Sequence, residues 1–205
     1  MSTQARQEKT RDSRTAILES ARSLFTANGL DAVTMDDIAR ESGVSRATVF
    51  NQFGSKALIL DTIGAGVLRN YLHILDNIMD SQQSPTNQLL ELNRAMAKGI
   101  SSNQDFYRAI FATMLTIVNR NEESSSASLV RRELDEKLLK LFLRGQVNGD
   151  FSSRYDAEEM VKAFENQIFG NISHWLHQRE DESLESSLEC SCAILINGIG
   201  SQGSA

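Results

Sequence analysis

Arg46, Thr48, Asn51 and Gln52 fall on one side of a short helical pattern, and their chemistry is that of reading base edges. Arginine donates a bidentate pair to guanine, while Asn or Gln pairs with adenine. The other side carries Val49, Phe50 and Phe53 at i, i+1 and i+4, and Ser45 stands before the pattern as an N-cap. Upstream, Thr34 and Asp37 have the Ser/Thr-x-x-Asp/Glu spacing of a capping box, and Ile38 and Ala39 face inward. Gly43 lies between the two patterns, where the chain must adopt a left-handed conformation that glycine takes cheaply. Two short helices joined by a tight turn, the second with a small polar face, make a helix-turn-helix suited to a DNA major groove.

Other reactive side chains are sparse. His174 and His177 lie three apart, and Cys190-Ser-Cys192 follows on the next helical stretch. The C-x-C spacing is short for zinc, and no acidic partner is placed to fix the imidazoles. There is no Gly-rich phosphate loop, no Ser/His/Asp order and no H-E-x-x-H motif. The reading is therefore of a non-enzyme with no metal and no cofactor.

The chain has 205 residues, 40% of them apolar, with one proline, and lacks alternating strand patterns, so an all-α protein with a real core is expected. The N-terminus has no apolar secretory core and no run of about 18 apolar residues suggests a membrane span. Two cysteines near the C-terminus make a disulfide framework improbable, and a cytoplasmic location is expected. The net charge of −6 hides an asymmetry: residues 1–56 hold eight Lys/Arg against seven Asp/Glu, the remainder thirteen against twenty. Cations thus gather around the helix-turn-helix, and DNA binding needs a local positive face rather than a basic protein.

About nine helices are expected to position these residues. Residues 1–10 read as a mobile arm, and a first helix runs from about Asp12 to Asn28 with Ile17, Leu18, Ala21, Leu24 and Phe25 on one face. A long helix from Lys56 to about Met79 links the three-helix head to the body. Further helices are expected from Pro85 (capped by Ser84) to about Gly99–Ser102, from Gln104 to Asn119, from Leu129 to Gln146, from Asp156 to Gln178 and from Ser183 to Asn197. The domains are then 1–55, a DNA-binding head with its arm, and 56–205, a body for ligand binding and dimerisation.

From about Arg14 to Asp61 the chain resembles the tetracycline-repressor (TetR) family of bacterial transcription regulators. The resemblance rests on Ile17-Leu18-x-x-Ala21-x-x-Leu24-Phe25-x-x-x-Gly29, on Thr34-Met35-x-x-Ile38-Ala39-x-x-x-Gly43-Val44-Ser45, and on Thr48 to Phe53 with Ser55 and Lys56. The family usually has tyrosine where Phe50 stands, and its hydroxyl commonly reaches a phosphate; Phe50 keeps only the ring. The resemblance implies DNA contacts by Thr34, Ser45, Arg46, Ala47, Thr48, Phe50, Asn51, Gln52 and Lys56, with Lys56 meeting a phosphate and Ala47 a thymine methyl; Arg14 is a further backbone candidate.

It also implies a ligand-responsive transcriptional regulator, a repressor in expectation, acting on a palindromic double-stranded DNA operator. In the body, Leu72, Met96, Phe106, Arg108, Phe111, Met114, Phe142, Asn166 and Phe169 stand as lining for an unidentified small-molecule effector, with Asn93, Thr113 and Asn171 as further polar candidates. Plain core packing is the competing reading of the apolar members. A homodimer is expected through the two C-terminal helices, by Met160, Phe164, Ile168, Ile172, Trp175 and Leu176 on one and Leu184, Leu188, Leu195 and Ile199 on the other. The alternative of another class is a helical ligand-binding or enzymatic protein that keeps the head as a scaffold.

Overall fold

Helix α1 (Thr3–Asn28) begins well before Asp12, so the expected mobile arm is helical backbone instead. Nothing in residues 3–12 breaks a helix: no proline or glycine interrupts Thr-Gln-Ala-Arg-Gln-Glu-Lys-Thr-Arg-Asp, and most of these residues are good helix formers. The computed structural model describes residues 3–109, 111, 125–177 and 183–199. The helices after α1 are α2 (Met35–Glu41), α3 (Arg46–Phe53), α4 (Lys56–Met79) and α5 (Pro85–Ser101), then α6 over the helical residues 104–109. Helices α7 (Ser126–Asn148), α8 (Ala157–His177) and α9 (Leu184–Ile199) complete the order. The fold is all-α, and among the described residues no helix is long and apolar enough to cross a membrane.

The chain divides into two compact units, residues 1–67 with 105–128, and residues 68–104 with 129–205. The boundary expected after residue 55 falls inside the first unit, because Ile59, Leu60 and Ile63 of α4 are buried in the same core as Ile17, Phe25, Ile38, Val49 and Phe53. Phe106 belongs to this core as well, at 3% exposure, with the Arg22 guanidinium 3.9 Å from its ring centre. Phe106, Arg108 and Phe111, expected to line an effector cavity in the body, therefore sit in the head unit. Phe106 and Phe111 are buried, and Arg108 is exposed with an ion pair to Asp105. Met114 and Thr113 lie outside the described residues.

Asp61 on α4 is 7% exposed and accepts the backbone N–H groups of Ser126 (2.9 Å) and Ala127 (3.2 Å). A carboxylate there satisfies two orphan donors at the start of α7 and complements its dipole. In the second unit, Phe142 stacks against Phe151 (5.3 Å between ring centres) and meets Phe164 edge-on (6.0 Å), all three fully buried. Gly145 lies under the Phe151 ring, where any side chain would collide with it. The buried Gln88 donates from Nε2 to the carbonyl of Ile78 (2.9 Å), and its Oε1 accepts from Arg144.

Helices α8 and α9 pack on each other within one subunit. Met160, Phe164, Ile168, Ile172 and Leu176, with Leu184 and Leu188, are already buried within the second unit at 0–7% exposure, α9 packing on α5 as well as on α8. These residues cannot form the dimer clamp assigned to them, since a single subunit hides them. The helices are joined as well by polar side chains: Gln167 Nε2 donates to Ser191 Oγ (2.6 Å), and Ser187 Oγ donates to Asn171 Oδ1 (2.6 Å).

Candidate nucleic-acid interface

The helix-turn-helix is assembled by its caps. Thr34 Oγ1 donates to Asp37 Oδ2 (2.6 Å) and accepts the Asp37 N–H (3.2 Å), while the Thr34 N–H donates to the same carboxylate (3.0 Å). The hydrogen bond from the Thr34 hydroxyl, then that from its N–H, holds the Asp37 carboxyl below its ordinary range, and Arg40 adds to this. Thr34 thus spends its hydroxyl proton on the capping box, which qualifies its expected contact with the DNA backbone. Gly43 turns the chain at φ +68°, with open space where a side chain would start. Ser45 Oγ then accepts the N–H of Thr48 (3.1 Å), and the two hydroxyls lie 2.8 Å apart.

These caps start α3 at Arg46. Its inward side, Val49 and Phe53, is 0% and 4% exposed, which fixes the outward side as Arg46, Ala47, Phe50 and Asn51. The Arg46 guanidinium pairs with Asp36 of α2 (2.9 Å) and leans over the Phe50 ring, 5.4 Å from its centre. An exposed pair of this kind is worth roughly 0–1 kcal/mol, so Asp36 holds Arg46 only weakly. Phe50 is 40% exposed, a ring on the surface rather than in the core.

Three side chains expected at the DNA, Gln52, Lys56 and Arg14, have partners within the head. Gln52 does not face outward with Asn51: its Nε2 donates to Ser13 Oγ on α1 (2.6 Å), and its Oε1 is buried. The cause is position, since Gln52 follows Asn51 by about 100° around the helix, which turns it toward α1. Lys56 donates from Nζ to the carbonyls of Leu30 (2.7 Å) and Val33 (2.9 Å), closing the segment between α1 and α2. Arg14 is held likewise, with Nη1 on the Gln52 carbonyl (3.2 Å) and its guanidinium 4.2 Å from the Phe53 ring centre. Sequence reasoning missed Ser13 entirely, because nothing in its local pattern names a partner 39 residues away.

Residues 17–63 match the family model for bacterial regulatory proteins of the tetR family. Beyond the head, the chain is similar to the uncharacterized HTH-type transcriptional regulator YfiR of Bacillus subtilis, 27% identical over 89% of each chain. It is similar also to the HTH-type transcriptional repressor KstR2 of Rhodococcus jostii, 23% identical over 92% of this chain and 91% of the relative. Residues 17–63 thus form a tetR-type helix-turn-helix region. The fold of this chain is shared with Thermus thermophilus FadR, a repressor solved with lauroyl-CoA, at a TM-score of 0.72 and 21% identity over 93% of this chain and 97% of that one. Bacillus subtilis FadR, solved with stearoyl-CoA, superposes at 0.76 with 16% identity over 90% and 98%.

The body residues assigned to an effector divide. Leu72 and Phe142 are buried, Met96 is half-buried, and Asn166 and Phe169 are exposed on α8. Asn93 is fully buried on α5, while Asn171 is tied to α9.

Proposed function

We propose that this chain is a TetR-family repressor that reads a palindromic operator as a homodimer and changes its DNA affinity when a small molecule occupies the body. The observation that carries the DNA reading is the division of α3. Val49 and Phe53 are locked in the head core, and Arg46, Ala47, Phe50 and Asn51 are exposed on the opposite side. Asn51 supplies the base-specific hydrogen bonds and Arg46 reaches guanine or phosphate. Ala47 and Phe50 add apolar contact, and Thr34, Ser45 and Thr48 flank the groove face near the sugar-phosphate backbone.

The acyl-CoA ligands of the two FadR structures support an amphipathic effector with a long apolar part. Leu72 and Met96 on α4 and α5 are the body residues proposed to meet its apolar part. Because the inner faces of α8 and α9 are used within the subunit, dimerisation uses their outer stripes. On α8 these are Asn166, Phe169 and Gly170, all exposed; on α9 they are Cys190, Ala193 and Ile194, also exposed. Phe169 at 42% and Ile194 at 68% exposure are the large apolar groups there.

Selection from a random duplex library, followed by binding measurements on the enriched site, tests the reading. Asn51→Ala should cost about 1–3 kcal/mol and relax preference at one or two base pairs per half-site. An unchanged base preference at every position refutes the groove face.

A further inference from the structure

We infer that Ser13 on α1, with Arg14 beside it, is a positioning residue for operator reading: it clasps Gln52 and thereby sets the rotation of α3 in the groove. The inference rests on the groove face proposed above and deepens it.

The observations meet at one end of α3. The Ser13 hydroxyl donates to the Thr10 carbonyl (3.0 Å), which turns its lone pair toward Gln52 Nε2 at 2.6 Å. Gln52 Oε1 is buried without a partner, so Ser13 supplies the hydrogen bond that fixes this amide. One residue along α1, Arg14 holds the Gln52 backbone carbonyl at 3.2 Å and lies over the ring of Phe53 at 4.2 Å. One helix face therefore grips the side chain of Gln52, its backbone and the next residue.

The grip matters because α3 is short, only 8 residues, with Ser45 capping its start. Its two buried anchors, Val49 and Phe53, are apolar, and apolar contact is non-directional, so it resists separation better than rotation about the helix axis. With side chains reaching about 5–6 Å from the axis, a rotation of about 20° carries the tip of Asn51 roughly 2 Å. A hydrogen bond to a base edge does not survive such a displacement, since donor and acceptor must lie within about 2.7–3.2 Å. Asn51 adjoins Gln52 in the chain, so a clasp on Gln52 is transmitted to Asn51 through one peptide unit. Ser13 thereby controls sequence discrimination without touching a base.

The experiment uses the full chain on its library-selected operator and on a scrambled duplex of equal length, each over a range of salt concentrations. Ser13→Ala, a substitution that favours the helix, should lower the ratio of operator to scrambled affinity about tenfold, the scale of one misread base pair. Scrambled-duplex affinity and its salt slope should stay unchanged, because no phosphate-binding charge is altered. Ser13→Thr, which keeps the hydroxyl, should restore the ratio. Arg14→Lys keeps the charge but not the planar stack and should lower the ratio as Ser13→Ala does. An unchanged ratio for Ser13→Ala, while Asn51→Ala shifts base preference, overturns the clasp and leaves the groove face standing. Unchanged preference in both variants overturns both. An equal loss on both duplexes, or no rescue by threonine, also overturns the clasp, since either outcome marks a phosphate contact or general loosening rather than positioning.

Discussion

Replacing Lys56 with Met separates a fold-holding lysine from a phosphate-binding one. In this structure the ammonium donates to two backbone carbonyls, Leu30 at 2.7 Å and Val33 at 2.9 Å, and so pins the segment between α1 and α2 to the start of α4. Methionine keeps an apolar stem of similar length but donates nothing, leaving both carbonyls without this partner. A hydrogen bond to a charged donor contributes about 1.5–3 kcal/mol. The side chain is only half-buried, so water re-solvates part of what is lost, and the net cost is about 2–3 kcal/mol rather than the full sum. For a chain of this size that lowers Tm by about 5–10 °C, read by far-UV circular dichroism. DNA affinity measured against salt below the transition should keep its slope, whereas loss of a phosphate contact flattens it by about 0.9. A variant that melts like wild type but shows the flatter slope refutes the reasoning and returns Lys56 to the phosphate.

Gly145→Ala should destabilise by about 1–3 kcal/mol, because the new methyl would overlap the ring of Phe151, itself only 1% exposed and without room to withdraw; urea unfolding checks it, and an unchanged midpoint contradicts it. Burial pushes the Glu165 carboxyl up to about 7 despite Arg131 at 2.9 Å, with Asp135 adding to the rise. The folded state thus favours the protonated acid, so this group's contribution to stability is full below 4.5 and lost as pH rises through about 7. Urea midpoints of wild type and Glu165→Gln should therefore diverge across that window, and parallel pH profiles would show otherwise. Ile194→Glu should convert a dimer to folded monomers in sedimentation at micromolar concentration, since Ile194 is 68% exposed, whereas Leu188→Glu should unfold the subunit because Leu188 is 0% exposed; a dimeric Ile194→Glu protein removes the outer face of α9 from the interface.

Local chemistry made much of this protein legible in its sequence. Thr34 with Asp37, Gly43, Ser45, and Ser84 with Pro85 each act within four residues, and the structure has them as capping box, left-handed turn and helix caps. The apolar spacing of Ile17, Ala21 and Phe25, and of Val49 and Phe53, places them in the core for the same reason: helical periodicity is written into adjacent turns. Tertiary structure decided what depends on distant partners. It turned Gln52 to Ser13 and Lys56 to Leu30 and Val33, across 39 and up to 26 positions of chain. It drew Phe106 into the head core and buried the apolar faces of α8 and α9 within the second unit, α9 against α5 as well as α8. Sequence periodicity states that such a face must be buried. It does not say against what, because a hydrophobic surface gains the same free energy from any apolar neighbour, and only the packed chain selects which one.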